Sequence, residues 1–182
     1  MKKSFFKTFA ALMAFGLVFS ACSKDDNDEK IGVGSIIYKG VTYSMPRGFI
    51  DYYPSTPSAA PYDLSLTLYS EGINYGGIIP KGTGSYIEVA FLSSSSKEIT
   101  PGIYTINNGV KEGNVLEAFL YLNVNYTEGN ATKVTINSGT ITVAKSNSQY
   151  TITLNGKNFS NESITGTYVG TLEFNTVEEG RK

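Results

Sequence analysis

Tyr62-Asp63-Leu64-Ser65-Leu66-Thr67-Leu68-Tyr69-Ser70 alternates along its whole length. Tyr62, Leu64, Leu66 and Leu68 fall on one side of an extended chain, and Asp63, Ser65, Thr67 and Tyr69 fall on the other. A period of two with leucine on one face reads as a β-strand half-buried against a core. Downstream, residues 71–84 hold Gly72, Gly76, Gly77, Gly82, Gly84 and Pro80, with Ile73, Tyr75, Ile78 and Ile79 among them. A long loop that carries apolar residues is expected to pack back on the sheet or to form part of a site. Ser85 to Ser93 is a second strand, with Ile87, Val89 and Phe91 on one face. Val115 to Tyr126 alternates Ala118, Leu120, Leu122 and Val124 against Phe119, Tyr121 and Asn123. Both of its faces are partly apolar, which places it centrally in the sheet.

Upstream of the opening stretch, Pro54, Pro57 and Pro61 fall within eight residues and read as a loop, since no sheet interior tolerates them. Gly48 to Tyr53 forms a short strand before it. Ser35–Tyr38 and Val41–Ser44 flank Lys39-Gly40, a hairpin signal. Further along, Pro101-Gly102 introduces the strand Ile103–Ile106. Val134–Ile136 and Thr140–Val143 bracket Asn137-Ser138-Gly139, a tight turn or a glycine bulge. Gln149–Leu154 runs into Asn155-Gly156, the strongest short hairpin signal in the chain. Ser163 to Phe174 closes the pattern, with Ile164, Tyr168, Leu172 and Phe174 expected to be buried. No helical period appears beyond the N-terminus. About nine to eleven short strands predict an all-β fold: an antiparallel β-sandwich of Greek-key or jelly-roll type, with a calycin or lipocalin-like β-barrel as the alternative. One domain over 35–176 and a disordered tail at 177–182 follow from this reading.

The N-terminus reads differently. Met1-Lys2-Lys3-Ser4 is a short basic start, and the stretch to Ala21 is apolar and small apart from Lys7 and Thr8. That is the pattern of a signal peptide over residues 1–21, and its run of fourteen residues from Thr8 to Ala21 is too short to span a bilayer as a stable helix. The sole cysteine, Cys22, follows at once. Phe19-Ser20-Ala21-Cys22 resembles the lipobox of bacterial lipoproteins, with Phe19 where leucine is usual. The resemblance implies that Cys22 carries the lipid. Two or three acyl chains would then hold the protein stably on the membrane without spanning it. Ser23-Lys24-Asp25-Asp26-Asn27-Asp28-Glu29 is similar to the acidic export signal of Bacteroidetes surface lipoproteins. It implies display on the outer face of the outer membrane, with Lys24, Asp25, Asp26, Asp28 and Glu29 as the signal. Residues 22–34 then form a flexible acidic tether with a typical reach of about 20 Å. The segments Ser138–Val143, Tyr150–Ile152 and Ile164–Gly170 look like the closing part of all-β lipoproteins of the same phylum, which implies a fold and no activity.

Charge and composition exclude several functions. Without Lys2, Lys3 and Lys7, the chain has 12 basic and 16 acidic residues, and residues 31–182 have 10 and 12. A basic nucleic-acid footprint is missing, so no such partner is expected. Histidine is absent. With Cys22 committed to the anchor, Ser-His-Asp and Cys-His nucleophiles and His/Cys zinc sites are excluded. No cofactor and no metal are expected. Paired carboxylates for glycoside hydrolysis remain, with Asp63, Glu71, Glu88 and Glu117 as the nearest candidates. Tyr52, Tyr53, Tyr69, Tyr75 and Tyr126 lie at or near loops, where tyrosine can stack on sugars or anchor proteins. Asn125-Tyr126-Thr127, Asn130-Ala131-Thr132, Asn158-Phe159-Ser160 and Asn161-Glu162-Ser163 read as polar turns. The expected protein is a non-enzymatic surface lipoprotein that binds a glycan or protein ligand. A small-molecule carrier and a carboxylate-dependent glycoside hydrolase are the alternatives.

Overall fold

The computed structural model describes residues 32–52, 54, 59–75, 80–107 and 109–176. Cys22, the export-signal residues 24–29, the tail 177–182, Tyr53, Ile78 and Ile79 lie outside the described residues. Thirteen strands follow in order: β1 (Val33–Tyr38), β2 (Val41–Ser44), β3 (Arg47–Tyr52), β4 (Tyr62–Tyr69), β5 (Ile73–Asn74), β6 (Lys81–Ser93), β7 (Gly102–Ile106), β8 (Asn114–Asn125), β9 (Asn130–Thr135), β10 (Ser138–Ser146), β11 (Gln149–Lys157), β12 (Ser163–Thr171) and β13 (Glu173–Thr176). The all-β expectation holds. The strands join one curled sheet in the order β13-β3-β4-β6-β8-β7-β10-β11-β12-β1-β2, with β5 added to β6 and β9 to β8.

The sheet is mixed rather than wholly antiparallel, because β3 pairs with β13 and β7 with β8 in parallel. The first parallel pair has a simple origin. β1 is antiparallel to both β12 and β2, so those two run the same way on either side of it. Where β1 begins at Val33, β12 has become β13 and β2 has become β3, and the two pair directly. The fork is sealed by Gly32 N–H donating to Pro46 O at 2.7 Å and Met45 N–H donating to Gly34 O at 2.8 Å. Covalent continuity from β2 to β3 and from β12 to β13 thus brings the ends of the sheet together.

The inner face carries the core. Leu64, Leu66 and Leu68 of β4, Ile87, Val89 and Phe91 of β6, and Ala118, Leu120 and Leu122 of β8 meet Ile141, Ile152, Leu154, Ile164 and Tyr168 from the opposite half. Each such fully buried aliphatic contributes about 1.5–3 kcal/mol. The void between the halves is about 20 Å³, room for about one water molecule. The architecture therefore combines the two expected forms, a sheet curled towards a barrel whose interior is filled like a sandwich.

Several local expectations change. The opening strand is buried on both faces, not one, since Ser65, Thr67 and Tyr69 are as hidden as the leucines. Asn155-Gly156 is not a turn. Both residues lie inside β11, paired with Thr140 and Gly139 of β10. A side chain at Gly156 would meet Ile136 at 2.5 Å, so glycine is there for close packing. β11 runs on to Lys157, and the reversal into β12 comes instead across residues 158–162, where Asn161 takes a φ of 64°. Asn137-Ser138-Gly139 does not close a hairpin either, because β9 pairs with β8 whereas β10 pairs with β7 and β11. Phe174 is 40% exposed, on β13 at the end of the strand order beside β3. The hairpin at Lys39-Gly40, the central position of β8 and the burial of Ile164 and Tyr168 are as expected.

Candidate functional site: an aromatic and acidic sheet face

Alternation that points Leu64, Leu66 and Leu68 inward points the intervening residues of β3, β4, β6 and β8 outward. Register then stacks those outward residues in three rows. Arg47, Tyr69, Tyr86, Tyr121 and Lys133 form the first, running from β3 to β9. Phe49, Thr67, Glu88, Phe119 and Thr135 form the second, and Asp51, Ser65, Ala90 and Glu117 the third. Neighbours within a row are about 4.5–5.5 Å apart at Cβ, and diagonal neighbours in adjacent rows about 7–8 Å.

The first row is a continuous run of rings. Tyr86 and Tyr121 stack at 4.4 Å with an interplanar angle of 18°. Tyr69 lies 5.4 Å from Tyr86. Tyr75, from the loop after β5, stacks on Tyr69 at 5.5 Å and reaches Phe49 at 4.6 Å. Ile73, fully buried, joins Phe49, Tyr69 and Val124 beneath Tyr75, Tyr86, Tyr121 and Tyr126. The described part of the glycine-rich segment, Ile73 and Tyr75, thus packs back on the sheet. Burial is the main reason that the Tyr69, Tyr75, Tyr86 and Tyr126 hydroxyls are all raised above the ordinary phenol range. Tyr86, Tyr121, Phe119 and Tyr126 stay half-buried.

The other two rows bring carboxylates to these rings. Asp51 is buried and accepts a hydrogen bond from Asn175 Nδ2 at 3.0 Å; burial raises its carboxyl above the usual range. Glu88 sits between Tyr86 and Phe119 and is raised chiefly by burial. Lys133 opposes that shift, and Glu117 and Asp51 add to it. Asp63 is raised by burial and then by the charge of Glu117. Glu88 and Glu117 are diagonal neighbours across β6 and β8. Among the described residues none of Asp63, Glu88 and Glu117 accepts a side-chain hydrogen bond. Lys133 holds its ammonium 3.4 Å from the centre of the Phe119 ring and 5.6 Å from that of Tyr121. An open groove of about 460 Å³ adjoins the end of β6 and β8, lined by Thr83, Ser85, Asn123, Asn125, Glu128 and Asn130.

No match to this chain is found among protein-family models, curated proteins or solved structures.

Of the four candidate carboxylates, Asp63, Glu88 and Glu117 share the face, whereas Glu71 sits exposed in the turn before β5. Tyr69, Tyr75 and Tyr126 join the aromatic cluster. Tyr52 does not; it points to the inner side and meets Tyr62 edge-on at 6.2 Å. Sequence reading missed Phe49, Asp51, Tyr86, Phe119, Tyr121 and Lys133. Their signal was the outward half of each alternation, which identifies a face only when the strand order is known. Asn125 and Asn158 serve their turns as expected: Asn125 Oδ1 accepts from Thr127 and Glu128 N–H, and Asn158 Oδ1 from Ser160 and Glu162 N–H. No group of three or more metal-ligating side chains gathers among the described residues. No described helix is long and apolar enough to cross a membrane.

Proposed function

We propose that this protein is a lipid-anchored outer-membrane module of the cell surface, held through Cys22, and that it binds its ligand on the outer face of β3-β4-β6-β8-β9. The observation that carries the binding reading is the run of rings from buried Tyr69 through half-buried Tyr86 to half-buried Tyr121, the last two stacked, with Glu88 in the next row and Glu117 in the row beyond it. Such a surface offers flat apolar area for stacking beside acceptors for hydrogen-bond donors. Ligands that present both, a glycan or a protein segment, suit it. A carrier function is disfavoured by an interior void of about 20 Å³, far below the several hundred cubic ångströms that small-molecule sites occupy. The hydrolase alternative has Glu88 and Glu117 as diagonal neighbours, yet Glu117 is exposed on the sheet face, where water has free access.

Two experiments test the proposal. A glycan and peptide binding screen with the purified chain is expected to return a ligand whose affinity falls on Tyr86→Ala or Tyr121→Ala. A screen that returns none, or binding indifferent to both substitutions, sinks the assignment of the face. Proteolysis of intact cells is expected to shave the domain. Cys22→Ser is expected to release it from the membrane, and neutralising Asp25, Asp26, Asp28 and Glu29 to protect it.

A further inference from the structure

The same face carries a sharper signal about ligand charge. Its carboxylates, Asp51, Asp63, Glu88 and Glu117, share it, among the described residues, with the cations Arg47 and Lys133. One of those cations shows what the surface accepts. Lys133 reaches from β9 to lay its ammonium on the Phe119 ring, where Glu88 also feels its charge. An ammonium over a ring face is attracted by the ring quadrupole, and more so with a carboxylate beside it. Yet among the described residues neither Glu117 nor Asp63 forms an ion pair, and the stacked Tyr86 and Tyr121 lie beside the lysine.

Resting on the binding reading above, we infer that the ligand is a cationic polypeptide segment rich in lysine or arginine, laid across the strands in extended form. Spacing favours a polypeptide. Alternate side chains of an extended chain recur about every 6.6–6.8 Å, close to the diagonal separation of about 7–8 Å expected between Glu88 and Glu117. The acidic stretch of this chain's own N-terminus, Asp25 to Glu29, is excluded as the occupant by like charge.

The test is titration of the purified full-length chain with a short oligolysine peptide, an oligoglutamate of equal length and a neutral oligosaccharide, at low and high salt. Oligolysine is expected to bind at low salt and weaken at high salt, and oligoglutamate is expected not to bind. Glu88→Gln and Glu117→Gln each lower oligolysine affinity roughly two- to fivefold, with urea midpoints showing that both variants remain folded. Lys133→Ala removes the internal competitor and raises affinity, an outcome that a purely structural lysine does not produce. Oligolysine binding no tighter than oligoglutamate overturns the inference. If the oligosaccharide then binds in a Tyr86- and Tyr121-dependent way, the binding reading stands without it; if neither ligand binds, both fall.

Discussion

Replacing Gly170 by alanine is expected to strike the joint that closes the sheet. Tyr168, with no exposed surface, lies at the fork where β1 begins, and its hydroxyl donates to Thr171 O at 2.7 Å. Glycines on three strands surround its ring. Gly32 and Gly34 lie on the β1 side, Gly48 on β3 and Gly170 on β12, and a Cβ at any of them would come within 3.3 Å of a Tyr168 atom. At Gly170 the added methyl would stand 2.6 Å from Gly32 Cα, 2.8 Å from the Tyr168 hydroxyl and 3.0 Å from its Cζ. Backbone on one side and a fully buried ring on the other leave little room to yield, so the overpacking cost falls near the top of its usual range, about 2–3 kcal/mol. For a domain of this size that lowers the thermal midpoint by about 4–12 °C. Urea unfolding of Gly170→Ala followed by tryptophan-independent far-ultraviolet dichroism measures it. The double variant Gly170→Ala with Tyr168→Leu adds the test of cause: shrinking the ring is expected to offset part of the alanine cost, so the two changes combine to less than their sum. A Gly170→Ala midpoint within about 0.5 kcal/mol of the parent, or strict additivity with Tyr168→Leu, refutes the account of the joint.

Other consequences are simpler to state. Burial raises the Asp51, Asp63 and Glu88 carboxyls, so the folded chain binds those protons more readily than the unfolded one and stability climbs as pH falls from neutral into the mildly acidic range. Glu162 acts the other way. Hydrogen bonds from Tyr38 and Asn158 and the Lys39 ion pair hold it down to about 2, and its contribution is lost as pH falls from its unfolded value towards that figure. Urea midpoints are expected to pass through a maximum below neutrality; a steady decline from neutral pH contradicts this. Ser93→Ala removes a buried hydroxyl that donates to Glu98 O at 2.9 Å and accepts from Thr100 N–H at 3.2 Å, at an expected cost of about 1–3 kcal/mol read from urea unfolding. Asp63→Asn relieves a half-buried carboxylate repelled by Glu117, and a urea midpoint that rises rather than falls checks it.

Strand composition was legible because the inner face is a strict sequence signal. Leu64, Leu66 and Leu68, or Ile87, Val89 and Phe91, declare themselves by period alone. Turns were less so, and Asn155-Gly156 shows why. The dipeptide satisfies the turn's backbone demands, but the same glycine also satisfies a packing demand, here the approach of Ile136 to β11. Local chemistry cannot tell the two apart; the neighbour arrives from twenty residues away. The parallel pairing of β3 with β13 was hidden for a similar reason. It follows from β1 being wedged between β12 and β2 and then ending, a relation among three strands that no stretch of sequence contains.

The face was half legible. Asp63, Glu88 and Glu117 were found as carboxylates, and Tyr69, Tyr75 and Tyr126 as aromatics near loops, but nothing in the sequence joined the two sets. Joining them needs the order β3-β4-β6-β8-β9, which sets Tyr86 beside Tyr121 and Glu88 beside Phe119 although more than thirty residues separate each pair. The order also explains a contrast between the two halves of the sheet. On the other half, register sets Thr142, Thr153 and Thr167 in one outward row and Thr140, Asn155 and Thr165 in the next. These are short uncharged side chains, all but Asn155 β-forming threonines. Arrays of rings and desolvated carboxylates are not what solvation alone selects. Burial of Asp51 and Glu88 works against their ionised forms, and such positions are retained at a cost to stability where they serve something else. The two outward faces thus differ in kind: the other half presents threonines, Lys157 and the exposed Ile37, Ile103 and Val169, whereas only the proposed binding face sets rings beside desolvated carboxylates among the described residues.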